Sequence, residues 1–173
     1  MTPEVQNFVK KHADKLAGKV IDVGSRNENG SLRDIIKVEV GMDMREGDGV
    51  DMVCTIDDMS DVFKSESFDA LVSTETLEHC NDWKAFVRQT WRVVVNGGYL
   101  LITMASQKKG YHGYPDDYWR FTEEHVKQIW PNAEDFTDLG TVSIGWVVKK
   151  TEDGLGDLDA VTPIIVESRR HRR

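Results

Sequence analysis

Short apolar runs alternate along the chain with amphipathic stretches. Val20, Ile21 and Val23 follow Lys19 and stop abruptly at Gly24-Ser25, and a β-branched run of this kind reads as a buried strand. Similar runs recur at Lys37–Met42, Val50–Cys54, Ser67–Ser73 and Tyr99–Met104. Apolar positions at helical spacing surround them. Val5, Phe8, Val9, His12, Leu16 and Ala17 share one face of a helix over residues 4–17 that Gly18 stops, with His12 read as structural. Residues 1–18 thus predict an N-terminal helical segment covering a sheet edge or a pocket. Asn29 to Ile36 reads as a short helix. The clearest helix is Asp82 to Val95, where Trp83, Phe86, Val87, Thr90, Trp91 and Val94 recur as a core stripe. Asn81 or Asp82 caps its start, and Asn96-Gly97-Gly98 is expected to end it. Thr122 caps a further helix that runs to Trp130. Glu134–Leu139 and Val142–Lys150 are extended, and Thr162–Ser168 is a last strand. Strands alternating with helices predict an α/β fold with a parallel sheet and right-handed crossovers.

Composition narrows the setting. A chain of 173 residues fits a single domain over 1–173. No apolar run approaches a membrane span, and Thr2-Pro3-Glu4 lacks the basic-then-apolar order of a signal peptide. The two cysteines, Cys54 and Cys80, suggest neither a disulfide framework nor a zinc site, and no metal site is expected. A reducing, cytoplasmic location follows as the expectation. The net charge of −8 argues against a broad nucleic-acid surface. The acid is concentrated: residues 39–61 hold eight carboxylates against one base, Arg45. Most of these acids read as solvated loops, with one or two left to line a pocket for a cationic or hydroxyl-rich ligand. The basic tail at 169–173 reads as frayed chain end.

Candidate chemistry gathers where the first strand ends. A strand, a glycine turn and a following helix form the ligand corner of an open α/β sheet, and Gly24 lets backbone approach a ligand closely. The turn lacks the middle glycine of the dinucleotide fingerprint, and no Gly-Lys-Ser/Thr follows as in a P-loop. Asp43 lies 21 residues beyond Asp22, at the tip of the second strand, where a carboxylate can accept from the vicinal hydroxyls of a ribose.

Three stretches carry a family resemblance. Asp22-Val23-Gly24 resembles motif I of the class I S-adenosylmethionine-dependent methyltransferases. Phe68-Asp69-Ala70-Leu71-Val72-Ser73, followed by Glu75-Thr76-Leu77-Glu78-His79, resembles their motif IV and the Leu-Glu-His of one large subgroup. Gly113-Tyr114-Pro115-Asp116-Asp117-Tyr118-Trp119-Arg120-Phe121-Thr122 is similar to a stretch in a subset associated with small-molecule or glycan modification. The resemblance covers roughly residues 19–125 and is to the small, type 11-like group. It implies a Rossmann-like, doubly wound, mostly parallel seven-stranded sheet whose antiparallel last strand, here Thr162–Ser168, slots between strands five and six.

It also implies an S-adenosylmethionine site. Asp22, Gly24 and Ser25 would contact the methionine moiety, Asp43 the ribose and Met44 an adenine face. Ile56 and Asp57 would border the adenine, and Ser73 would offer its carbonyl to the amino group. Thr55 and Ile56 stand where the family commonly has an acid and a small residue, which shifts adenine recognition toward the Ile56 backbone. The segment 106–121 is expected as a lid or substrate wall, held by an Asp–Arg pair. The candidate general bases are His112, His79 and Asp116 or Asp117, with His112 preferred for its place on the acceptor side. The expected reaction is methyl transfer to a small-molecule or glycan-type acceptor, with no nucleic-acid or membrane partner. The alternatives are a non-catalytic module of the same fold that binds the cofactor or its product, and, disfavoured by the missing glycine, a nicotinamide-dependent oxidoreductase.

Overall fold

The computed structural model describes residues 1–113, 116–140 and 142–166. The basic tail at 169–173 and the end of the strand expected at 162–168 lie outside the described residues, as do Tyr114 and Pro115 of the lid segment. The strands are β1 (Val20–Val23), β2 (Val40–Asp43), β3 (Met52–Val53), β4 (Phe68–Thr74), β5 (Val94–Ala105), β6 (Trp119–Arg120), β7 (Ala133–Leu139), β8 (Ser143–Lys149) and β9 (Ile164–Ile165). The helices are α1 (Pro3–Lys11), α2 (Met59–Val62), α3 (Trp83–Val93) and α4 (Glu123–Ile129).

Seven strands form one sheet in the order β3-β2-β1-β4-β5-β8-β7. Neighbouring pairs from β3 to β5 are parallel, and β8 runs antiparallel to both β5 and β7. All four residues of β1 are buried, as expected of an interior parallel strand covered on both faces. The pleat divides the sheet's apolar side chains between two cores. Ile21, Leu71, Leu100 and Ile102 join the core under α3 and α4. Val20, Ala70, Val72 and Leu101 join the core under α1.

α3 forms where its stripe predicts. Asp82 caps it, accepting from the Ala85 N–H at 2.9 Å, and Trp83, Phe86, Val87 and Val93 are buried. Its end differs from expectation. The chain passes from Val93 directly into β5, and Asn96-Gly97-Gly98 makes a bulge inside that strand, where the register with β4 shifts between Phe68 and Ala70. Gly97 has φ +84°, and a Cβ on Gly98 would sit 2.4 Å from the Asp69 carbonyl oxygen. The glycines therefore serve close strand approach rather than a helix stop.

Three further elements depart from the sequence reading. The helix expected over 29–36 is a single 3-10 turn at Leu32–Asp34, capped by Ser31, because Leu32 and Ile36 dock separately on the α1 core. The second strand begins only at Val40, and the third is two residues long. The antiparallel strand beside β5 is residues 143–149, not 162–168. Gly145 lets α1 come close there: a Cβ would meet the Phe8 ring at 2.8 Å. Ile164–Ile165 pairs instead with Trp119–Arg120 in a separate two-stranded ribbon. His12 caps the end of α1, with its Nε2 2.7 Å from Asp135 Oδ2 on β7. No helix among the described residues is long and apolar enough to cross a membrane.

Phe86 is fully buried between α3 and the sheet. Phe86→Ala should destabilise the fold by about 3–5 kcal/mol in urea denaturation. A loss below about 1 kcal/mol would show that α3 does not pack as described.

Candidate active site

The turn after β1 builds the floor of the site. Gly24 has φ +84°, a conformation that side chains rarely adopt, and a Cβ there would overlap Thr76 Oγ1 at 2.0 Å. The Gly24 and Ser25 N–H groups both donate to the Met42 carbonyl, at 2.8 and 3.0 Å. The tips of β1 and β2 are thereby locked side by side, with the loop after β4 pressed against them. A cavity of about 900 Å³ opens beyond these strand ends, at the place where an open α/β sheet binds ligands.

Ten of the twelve nominated site residues line that cavity, Asp117 and Ser73 being the exceptions: Asp22, Gly24, Ser25, Asp43, Met44, Ile56, Asp57, His79, His112 and Asp116. Ser73 is not among its lining residues. Its side chain is fully buried and donates to the Val23 carbonyl at 2.7 Å. β4 runs one residue further, and Thr74, Glu75 and Thr76 supply the wall on that side.

Two polar atoms on the floor lack any protein partner. Asp22 Oδ1 and Ser25 Oγ are buried and make no hydrogen bond. Burial raises the Asp22 carboxyl to about 7, with the Asp43 charge adding to the rise and Arg33 opposing it. Asp43 Oδ1 accepts from the Arg45 N–H at 2.9 Å.

The segment 106–121 is fastened by a buried ion pair. Asp117 and Arg120 are 3% and 2% exposed, with Nη2 and Oδ2 2.7 Å apart. Arg120 Nε also donates to the Ser106 carbonyl at 3.0 Å. Burial by itself would raise the Asp117 carboxyl, but the Arg120 guanidinium and the His112 N–H hold it down at about 2. The same Asp117 Oδ2 that accepts from Arg120 also orients His112, whose backbone N–H donates to it at 3.0 Å and whose Nδ1 lies 2.8 Å from it. Burial and the Lys109 charge lower the His112 pKa against the pull of Asp117. His79 is placed by a contact between its Nδ1 and the Asp116 carbonyl. The two imidazole rings lie 5.0 Å apart, centroid to centroid. Lys109 and Tyr118 join them on the cavity wall. Burial, reinforced by the Glu78 charge, pushes the Cys80 thiol up to about 12, so this lining cysteine stays protonated.

The sequence reading missed Thr74, Glu75, Thr76, Lys109 and Tyr118, and left Glu78 without a role. Glu75 carried one local signal, its place directly after the motif IV strand; it adopts φ +53° and is held by the Thr103 and Ser143 hydroxyls.

The family model described as a methyltransferase domain matches residues 31–102. No curated protein matches the sequence. The fold is similar to that of the 1,6-didemethyltoxoflavin-N1-methyltransferase of Burkholderia thailandensis, solved with 1,6-didemethyltoxoflavin and S-adenosylhomocysteine bound. The TM-score is 0.66 at 14% identity, covering 87% of this chain and 78% of that one. A SAM-dependent methyltransferase from Archaeoglobus fulgidus gives 0.61 at 11% identity over 84% and 93% of the two chains. The [4+2]-cyclase SpnF gives 0.59 at 15% identity over 85% and 81%. The matched segment spans under half of the chain, and the solved structures show the fold: a class I, methyltransferase-like α/β sheet. S-adenosylmethionine is the cofactor of that class.

A carboxyl raised to about 7 holds its proton more tightly in the folded chain than in the unfolded one. Between about pH 4 and pH 7 the unfolded chain has released that proton and the folded chain has not, so Asp22 costs stability as pH rises. Asp22→Asn should therefore gain stability relative to the parent across this window, measured by denaturant unfolding at several pH values. A difference between the two that stays flat with pH would contradict the buried, unpartnered placement.

Proposed function

We propose that this protein transfers the methyl group of S-adenosylmethionine to a small-molecule acceptor, glycan-type hydroxyls included. One observation carries the proposal. Two buried polar atoms without protein partners, Asp22 Oδ1 and Ser25 Oγ, lie on either side of Gly24, whose missing side chain lets Thr76 close against the turn at the cavity floor. Buried polar groups take a hydrogen-bond partner, and the ammonium and carboxylate of a methionine moiety supply both kinds.

The remaining residues fit the rest of that cofactor. Asp43 keeps a carboxylate oxygen for a ribose hydroxyl, since the Arg45 N–H occupies the other. Met44 and Ile56 offer apolar surface for an adenine, with Asp57 beside them on the cavity wall. When bound, the cofactor supplies an activated methyl on a sulfonium. The protein's own work is then to align an acceptor, exclude water and remove a proton. His112 suits the last task. With its Nδ1–H given to Asp117, its Nε2 lone pair is free for the acceptor's proton, and its lowered pKa keeps the ring neutral near pH 7. His79 and Asp116 stand beside it as acceptor contacts. The small-molecule substrate bound to the toxoflavin relative supports an acceptor of this size. Cys54 and Cys80 are both unpaired thiols, which suits a cytoplasmic location.

The test is transfer of label from S-adenosylmethionine to a panel of small hydroxyl and amine acceptors. Asp43→Ala should weaken S-adenosylhomocysteine binding by about 1–3 kcal/mol, the scale of charged hydrogen bonds; unchanged affinity would place the ribose elsewhere. His112→Ala should lower turnover and remove the acid limb of its pH profile, where protonation of the base would silence the parent, while leaving cofactor affinity intact. An unaltered profile would remove His112 from the proton's path.

A further inference from the structure

Glu78, His79 and His112 form a cluster at the cavity wall that binding the cofactor does not explain. One carboxylate oxygen and one nitrogen from each ring all lie within 4.8 Å of one another. Glu78 Oε1 is 3.8 Å from His112 Nε2. Two donors on one ion, each about 2.1 Å from it, lie roughly 3–4 Å apart. The rings are also oriented for the task. His112 Nδ1 faces the Asp117 carboxylate at 2.8 Å, and His79 Nδ1 faces the Asp116 carbonyl. A histidine whose Nδ1–H is committed to a carboxylate or carbonyl presents Nε2 as a ligand, as metal-bound histidines do.

Glu78 supplies an independent observation. Its side chain is fully buried. Oε1 accepts from the Ala105 N–H at 3.0 Å, and Oε2 has no hydrogen-bond partner. Buried carboxylates are paired with charge or coordinate metal. Among the described residues, the basic side chain within 4 Å of the Glu78 carboxyl is the His112 imidazole.

We propose that Glu78, His79 and His112 bind one divalent transition-metal ion. Two imidazoles and a carboxylate suit zinc or iron(II), whereas magnesium and calcium favour sets made of oxygen. Three protein ligands leave a coordination position open toward the cavity that His79 and His112 line. There the ion takes an oxygen donor of the acceptor, a role that rests on the methyl-transfer reading, whereas the ion's binding does not. His112 Nε2 accepts a proton or holds a metal, never both at once. With the ion in place, the acceptor hydroxyl is acidified by its bond to the metal and loses its proton to water.

The experiment titrates chelator-treated protein with Zn²⁺ alone by calorimetry, with thermal melting in parallel. One equivalent should bind and raise the melting temperature. His79→Ala and His112→Ala should each weaken binding by at least about tenfold, the scale of perturbing a metal site. Glu78→Gln should do the same; should its buried site prevent folding, the two histidine variants carry the test. Folded parent protein that takes up no Zn²⁺, or equal affinity in parent and both histidine variants, would overturn the proposal. S-adenosylhomocysteine titrated into the same samples separates the two ideas. Its binding without zinc binding sinks the metal site alone, and zinc binding without it sinks the cofactor reading alone.

Discussion

The contact on which the rest of the site depends is the approach of Gly24 to Thr76. A Cβ at position 24 would fall on the Thr76 hydroxyl, and the φ of +84° is itself reserved for glycine. Because nothing intervenes, the ends of β1 and β4 lie close together, and the Met42 carbonyl holds β2 level with them through two N–H groups. Three strand tips thus share one floor. The cost of that geometry is polar: Asp22 and Ser25 are drawn inside with atoms left unpaired, a state that a bound ligand resolves and an apo protein only tolerates.

The opposite wall depends on a different interaction. Asp117 and Arg120 are both buried, and the guanidinium also reaches the Ser106 carbonyl. A buried ion pair contributes little net stability but fixes geometry. Here it fixes His112, which hydrogen-bonds the same carboxylate. The ribbon of β6 and β9 braces the segment from outside, with the Val166 N–H donating to the Tyr118 carbonyl and the Tyr118 N–H to that of Glu78. A rigid floor for one ligand and a braced wall of ionisable groups for another is the division of labour that group transfer needs.

Much of this was legible in the sequence because it is local. Strand β1 ends where its apolar run ends, and Asp43 caps the next run at the interval a β-turn-β unit sets. The α3 stripe places its own buried face. What escaped is long-range. Gly97 and Gly98 follow a helix, so they look like its cap; only the approach of the Asp69 carbonyl shows that they serve a strand. The runs at 143–149 and 162–168 both read as apolar strands, so pairing alone decides between them: 143–149 joins β5, and Ile164–Ile165 joins Trp119–Arg120. Glu78 sits in a quoted motif, yet its meaning depends on His112, 34 positions later, folding back beside it. Ser73 shows the converse: the motif places its backbone at the strand end, and the fold decides that its hydroxyl turns inward to the Val23 carbonyl.

The measurement that tests the central claim most directly is calorimetric titration of the purified protein with S-adenosylmethionine, S-adenosylhomocysteine and NADH in parallel. The account predicts micromolar binding of both sulfur ligands at one site and none of NADH. A folded protein that binds neither sulfur ligand would contradict it, and the cavity beyond β1 and β4 would then belong to another chemistry.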